Sequence, residues 1–403
     1  MNESPAVTAL TDRALVAGRR AFGPGWRPGR RTIAPGRVEL IGNHVDYNGG
    51  PVLCAAIDRS LVVLAADGAS GIRAIAADAP TEGVIACGPE VDRVWRASGE
   101  RQVTANYVRG AVAAIVARPD LALTVPADIA IAGDVPLGFG LSSSAALCVG
   151  LSLALASPRP ADPELVLLAQ EAEHRAGTPC GTMDQSASVA GGVILFDGAT
   201  LAVERLAPNL GDLRFAVIDS GVERALATSS YPVRVRESRE ALDRANRALG
   251  ITLPHPAALT PAHLAALERD PDALPRPLLA RARHIVTETG RVQLATAALA
   301  AGDWPEFGRL MTASGRSSAT DYAISHPRVE ELVAEALSLD GVLGARMMGG
   351  GEGGAVIALL PGELIPVLER KLRGGYFARY AMQHRPGLVQ PCAFSPGARE
   401  TGI

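Results

Sequence analysis

Apolar positions fall along this chain in two rhythms, and the changes between them mark its elements. Residues 52–65 are apolar almost without interruption, and shorter apolar or alternating runs occur at 127–132, 193–196, 213–219 and 356–360. Such runs predict strands, and the unbroken one predicts a strand buried on both faces. Residues 11–21, 164–175, 232–249, 276–301 and 327–338 instead place apolar side chains at helical spacing, which predicts amphipathic helices. The run 145–156 is apolar nearly all round and predicts a buried helix. Strands and helices mixed over this length predict an α/β (α+β) chain. A new series of elements begins near Gly198, so two domains are expected, 1–197 and 198–403.

Composition narrows the partners. A net charge of −3 over 403 residues gives no general affinity for nucleic acid or an anionic membrane surface. Cys54, Cys87, Cys148, Cys180 and Cys392 are scattered and form no C-x-x-C pair, a usage that fits a reduced, cytoplasmic setting and no zinc site. No apolar run approaches about 18 residues, and the chain does not open on a basic patch followed by an apolar core. A protein neither exported nor membrane-bound is expected, with small molecules as partners. Oligomeric state is not readable from the sequence, and a monomer is the default.

The strand at 127–132 and the apolar helix at 145–156 are joined by Pro136-Leu137-Gly138-Phe139-Gly140-Leu141-Ser142-Ser143-Ser144. Glycines and serines at a helix start leave backbone N–H groups unpaired and uncrowded, with hydroxyls beside them and the helix dipole behind. Such a turn cradles phosphate, although glycine and serine alone equally describe a connection with a serine N-cap. Lysine usage narrows the choice. Of 39 basic residues only Lys371 is a lysine, and it follows no glycine loop. Neither a Walker loop nor the strand lysine of a protein kinase is available, so a phosphate site here works through backbone amides, arginine and metal.

Three further stretches carry unusual groups. In Pro35-Gly36-Arg37-Val38-Glu39-Leu40-Ile41-Gly42-Asn43-His44-Val45-Asp46-Tyr47-Asn48 an apolar strand gives way to a polar cluster before the long strand at 52–65. In Cys180-Gly181-Thr182-Met183-Asp184-Gln185 an aspartate follows a glycine turn, where on its own it reads as a helix cap. In Met348-Gly349-Gly350-Gly351-Glu352-Gly353-Gly354 five glycines precede a strand and on their own suggest a flexible turn.

Together these motifs resemble those of the galactokinases, within the GHMP small-molecule kinases, whose phosphate loop also lacks the Walker lysine. The stretch from Pro35 resembles the galactokinase signature, Pro136 to Ala146 the phosphate loop, and Ala172-Glu173 with Asp184 the GHMP pair of carboxylates. The likeness covers nearly the whole chain. It implies a two-domain GHMP kinase fold, with a ribosomal-protein-S5-like N-terminal domain, a ferredoxin-like C-terminal domain and the active site in the cleft between them. It also implies ATP as co-substrate and Mg2+ held by Ser144 and Glu173. Gly138, Gly140, Leu141, Ser142, Ser143 and Ser144 would hold the nucleotide, with Tyr107 lining the adenine pocket. Asp184 and Arg37 would be catalytic, and Asn43, His44, Asp46, Gly181 and Tyr231 would contact the sugar. The implied reaction is phosphorylation of the anomeric hydroxyl of galactose, with Asp184 positioning that hydroxyl and taking its proton late.

Some positions depart from the family pattern. Glu39 stands where the family has asparagine, and Asn43 where it has the glutamate that meets the hydroxyl on the sugar's sixth carbon. Thr104 replaces a tryptophan at the adenine pocket, Glu223-Arg224 an Arg-His pair, and Glu352 a phenylalanine. Ser314-Gly315-Arg316-Ser317-Ser318 replaces Ser-His-x-Ser-Leu. A glutamate at 43 would repel a uronic acid by about 4 kcal/mol at ~4 Å and an effective dielectric near 20. Its loss makes galacturonate, with Arg224 as partner, or arabinose an alternative substrate. A non-catalytic sugar or nucleotide sensor is a second alternative, because fold does not set activity. A kinase for mevalonate or a homoserine-like acid is a third, against which His44, Asp46 and Tyr47 favour a polyhydroxy sugar.

Overall fold

The unbroken apolar run becomes the 17-residue strand Pro51–Asp67, long enough to take several partners. Arg30–Ile41 pairs antiparallel along nearly its whole length on one edge. On the other edge Ala127–Gly133 takes residues 61–67 and Val193–Asp197 takes residues 51–55. Ile72–Ala76, Ile85–Cys87, Val203–Leu206 and Arg399–Thr401 complete an eight-stranded sheet. Val62 and Leu64 of the long strand cluster with Val7, Leu10 and Ala14 of the helix Pro5–Phe22. Val63 and Ala65 belong instead to the core under the helices Thr104–Val116, Ser143–Leu155 and Asp162–Arg175. Both faces are dry, which is why the run shows no alternation. The computed structural model describes residues 4–68, 70–88, 94–97, 103–125, 127–223 and 230–402.

The second half builds a four-stranded antiparallel sheet in the order Gly344–Met347, Gly354–Pro361, Leu213–Val222, Val389–Cys392. Pro327–Leu337 and Ile365–Gly374 pack on it. Trp304–Thr320 touches strands of both sheets, and Arg276–Ala301 reaches the first sheet. Tyr231–Leu249 and Pro261–Arg269 close a smaller cluster against Arg276–Ala301. Among the described residues no helix is long and apolar enough to cross a membrane.

Several elements differ from expectation for identifiable reasons. The first helix begins at Pro5 rather than near 11, because the Ser4 hydroxyl accepts the Ala6 N–H and proline suits the first turn. Trp304–Thr320 lies outside the predicted helices, and its glycines, which weaken a helical signal, are required by packing. A Cβ on Gly308 would stand 2.3 Å from the Leu343 carbonyl oxygen, and one on Gly315 would stand 2.8 Å from the Arg346 Cβ. The boundary expected at 197/198 falls inside a hairpin. Val203–Leu206 pairs with Val193–Asp197, and Arg399–Thr401 returns to pair with residues 31–33, so sheet pairing carries the first unit past residue 198 and takes back the chain end.

Candidate active site

Three elements converge on the glycine-serine bend. Gly138 and Gly140 have φ of 80° and 72°, and Ser142, the N-cap of Ser143–Leu155, has φ of 57°. A Cβ on Gly138 would meet nothing within 4 Å, so the demand there is left-handed backbone, not room. The Leu141 side chain is buried, and its carbonyl accepts the Arg37 N–H at 3.1 Å. Ser142 does not cap with its side chain. Its hydroxyl donates to Asp184 Oδ2 at 2.5 Å. Ser143 and Ser144 begin the helix, where free N–H groups and the dipole favour an anion.

Asp184 lies in the first turn of the helix Met183–Ala190, and Arg37 lies on the strand Arg30–Ile41. Arg37 Nε and Nη2 donate to Asp184 Oδ1 at 2.7 and 2.6 Å. Arg37 Nη1 donates to the Gly140 carbonyl oxygen. Strand, loop and helix are therefore tied at one guanidinium, and the two residues expected to be catalytic meet beside the expected phosphate loop.

The polar cluster after the strand forms the next part of the cleft. His44, with φ of 62°, has Nδ1 at 2.8 Å from the Tyr47 hydroxyl, which lies 3.0 Å from the Tyr322 hydroxyl. The Tyr231 ring packs on His44 and Tyr47, with centroids 5.3 and 5.2 Å away. Burial pushes the Asp46 carboxyl up to about 7; the Tyr47 N–H works against this, while Glu39 and Asp184 add to it. Gly181 gives Asp46 its space, since a Cβ there would lie 2.7 Å from Asp46 Oδ2.

Asn43 departs from expectation. Its side chain is wholly buried and does not line the cleft. Nδ2 donates to Glu39 Oε1 at 3.0 Å and to the Gly349 carbonyl at 2.9 Å, and Oδ1 accepts from the Ser318 hydroxyl at 3.0 Å. All three groups are spent inside the protein, so the expected sugar contact is replaced by a support. Glu352 is also absent from the lining; with φ of 60°, it accepts the Ser230 N–H at 3.2 Å. Arg224 lies outside the described residues.

Toward the other end, Glu173 is 2% exposed on the helix Asp162–Arg175. Burial pushes its carboxyl up to about 7, with the Ser144 hydroxyl opposing and the Asp184 charge adding. Gln185 Nε2 donates to its Oε2, and the Cys180 thiol stands 3.7 Å from the same oxygen. The buried Tyr107 has its hydroxyl 3.0 Å from Thr178 Oγ1. The helix that carries Tyr107 starts at Thr104, where Glu82 accepts the Thr104 and Ala105 N–H groups at 3.1 Å each. Among the described residues no cluster of three or more His, Cys, Asp or Glu forms a protein-made metal cage. One carboxylate with an adjacent serine suits Mg2+ that takes its remaining ligands from phosphates and water.

One cavity of about 450 Å³ is lined by Arg37, Tyr107, Ser142, Ser144, Glu173 and Asp184, together with Asp78, Glu82 and Thr104 and with His44, Asp46 and Tyr231. That volume is ordinary for a small-molecule site. Behind it lies a buried network that the sequence reading did not find. Glu288 Oε1 accepts the Gly42 and Asn43 N–H groups at 3.0 and 3.1 Å and the Ser314 hydroxyl at 2.5 Å. Its Oε2 pairs with Arg291 Nε at 2.6 Å. His284 Nε2 lies 2.9 Å from the Asn43 carbonyl, and its Nδ1 lies 2.9 Å from Ser317 Oγ. Arg346 Nη2 pairs with Glu39 Oε1 at 2.8 Å. Ser314, Ser317 and Ser318 thus supply three hydroxyls to this network, of which Ser318 is the one that departs from the family's Ser-His-x-Ser-Leu. The available signal was the placing of His284, Glu288 and Ser314 on buried helix faces.

Comparison with known proteins agrees with this geometry. The galactokinase galactose-binding signature matches residues 19–67, the GHMP kinase N-terminal domain 106–192 and the GHMP kinase C-terminal domain 295–376. A galactokinase of Roseiflexus sp. (strain RS-1) is 39% identical over 372 residues, 90% of this chain and 91% of that protein. The Homo sapiens galactokinase is 37% identical over 406 residues, 96% of this chain and 98% of that protein. The crystal structure of Lactococcus lactis galactokinase complexed with galactose superposes with a TM-score of 0.84 at 28% identity, covering 99% of this chain and 100% of that one. The chain belongs to the galactokinase family and has the two-domain fold of the GHMP kinases.

Proposed function

We propose that the protein is an ATP-dependent galactokinase that phosphorylates the anomeric hydroxyl of galactose. The observation that carries this reading is the position of Arg37, whose guanidinium holds Asp184 and the Gly140 carbonyl at once. Acceptor carboxylate and phosphate loop thereby share one anchor. Asp184 orients the sugar hydroxyl and takes its proton late, while Arg37 and the loop amides offset charge on the moving phosphoryl group. Ser142 keeps Asp184 in register with the loop. Ser144 and Glu173 would hold Mg2+, which when bound neutralises charge on the nucleotide's phosphates. His44, Asp46, Gly181 and Tyr231 would hold the sugar, and Tyr107 would stand by the base.

The first unit is taken to extend to about residue 206 and to include the chain-end strand, in line with the sheet pairing. All five cysteines are free, which supports a reducing, cytoplasmic setting. The test is ATP consumption with galactose, galacturonate, arabinose and mevalonate. Galactose is expected to lead by a wide margin. Consumption with none of them would leave a sensor, and galacturonate in first place would restore the acid substrate.

A further inference from the structure

We infer that Glu39 is a substrate-specificity residue, accepting a hydrogen bond from a hydroxyl on the part of the sugar remote from the reacting carbon and barring sugar acids. This rests on the galactokinase reading. Glu39 lines the cleft although its side chain is almost wholly buried. Both protein donors go to one oxygen: Asn43 Nδ2 at 3.0 Å and Arg346 Nη2 at 2.8 Å reach Oε1. Oε2 accepts no hydrogen bond from the protein, yet it is not among the sealed, unpartnered polar atoms. It is therefore an acceptor held toward the cavity by a carboxylate that cannot turn away. Arg346, itself wholly buried, also donates to the Glu39 and Leu40 carbonyls at 3.3 Å, which pins the pair to the strand.

Position along the strand indicates which part of the ligand Glu39 meets. Arg37 and Glu39 are two residues apart in regular pairing, so they share a face and stand about 7 Å from each other. Arg37 marks the reacting hydroxyl through Asp184. A group one step farther along the same face therefore lies beyond the reacting end, toward the hydroxyls on carbons 4 and 6. Charge excludes acids. Glu39, Asp46 and Asp184 all line the cleft; among the described residues Arg37 is the one arginine or lysine lining it with them, already paired with Asp184, and Arg346 behind the cleft is already paired with Glu39. A uronate would bring a fourth carboxylate to this site. The charge absent at position 43 is thus supplied at position 39.

The test compares kcat/KM for galactose, 4-deoxygalactose, 6-deoxygalactose and galacturonate in the wild type and in Glu39→Gln, with melting temperatures alongside. A hydrogen bond to a charged acceptor is expected to make the wild type prefer galactose over one deoxy sugar by about 10- to 100-fold, a preference narrowing to roughly threefold or less in the variant. Galacturonate turnover relative to galactose is expected to rise. A purely structural partner of Arg346 would lower activity on every sugar alike, so an unchanged ratio in an active variant overturns the inference. Should Glu39→Gln not fold, Glu39→Asp keeps the charge and withdraws the free oxygen; a narrowed ratio there supports the inference and an unchanged one overturns it. A wild type inactive on galactose would instead remove the galactokinase reading and this inference with it.

Discussion

Glu288 and Glu173 are both buried, at 0% and 2% exposure, yet one carboxyl lies at about 2 and the other at about 7. Burial opposes ionisation in both. At Glu288 it is overcome by Arg291, His284 and Arg346 with the Ser314 hydroxyl, all supplied by the fold. At Glu173 the neighbours are neutral hydroxyl, amide and thiol groups, and the nearby charge, Asp184, is of the wrong sign. Asp46 resembles Glu173, because Arg37, the cation nearest to hand, is committed to Asp184. A buried carboxylate with fixed cations is a finished strut between the two sheets. One without them is incomplete until a ligand brings hydroxyls or positive charge.

Substitutions can break this contrast. Asp184→Asn is expected to lower kcat by about 10²- to 10⁴-fold, as for loss of a positioned acid-base group, while the isosteric amide oxygen still accepts from Arg37 and so limits the fall in melting temperature. A near-normal kcat at saturating galactose would remove Asp184 from the chemistry. Glu288→Ala should do the reverse. Removing the carboxylate that pairs with Arg291 and accepts the Gly42, Asn43 and Ser314 hydrogen bonds costs about 3 to 5 kcal/mol of stability, measured by urea unfolding, while the surviving folded fraction still turns over. A loss well under 1 kcal/mol would mean the strut is dispensable.

Two smaller effects sharpen it. Glu288 is held below its ordinary value, so its support is complete above about pH 5 and fades as pH falls toward about 2, a loss of about 3 kcal/mol. Asp46 and Glu173 run the other way. Raised to about 7, they favour the ligand-free fold below about pH 4 and withdraw that support as pH rises through about 7. Unfolding curves without ligand should thus weaken toward neutral pH from the cleft and toward strong acid from the strut, and galactose with Mg2+ and ATP should flatten the neutral limb alone. Gly181→Ala is expected to cost about 1 to 3 kcal/mol of galactose binding by displacing Asp46, read as a raised KM. An unchanged KM would show that Asp46 does not touch the sugar.

Much of the site was legible because its chemistry is local. Gly138, Gly140 and Ser142 announce a left-handed bend at a helix start, and the absence of a nearby lysine excludes other phosphate loops before any fold is known. Arg37 and Asp184 were paired by resemblance, and they meet. Asn43 was expected at the sugar, and Glu39 was noted only as a departure from the family, because a strand shows which residues share a face, but not which side chain the opposing layer consumes. Ser318, 275 positions away from Asn43, takes the amide oxygen, and Arg346 holds Glu39 at the cleft.

Residue types and their immediate order were enough to specify a glycine-serine bend at a helix start, an arginine and an aspartate to look for beside it and the family to which they belong, since backbone conformation and functional-group chemistry are short-range properties. Three-dimensional packing had to settle which buried acidic side chains are paired with cations and which are not. Desolvation and Coulomb energy depend on neighbours brought from hundreds of residues away, and no reading along the chain can sum them.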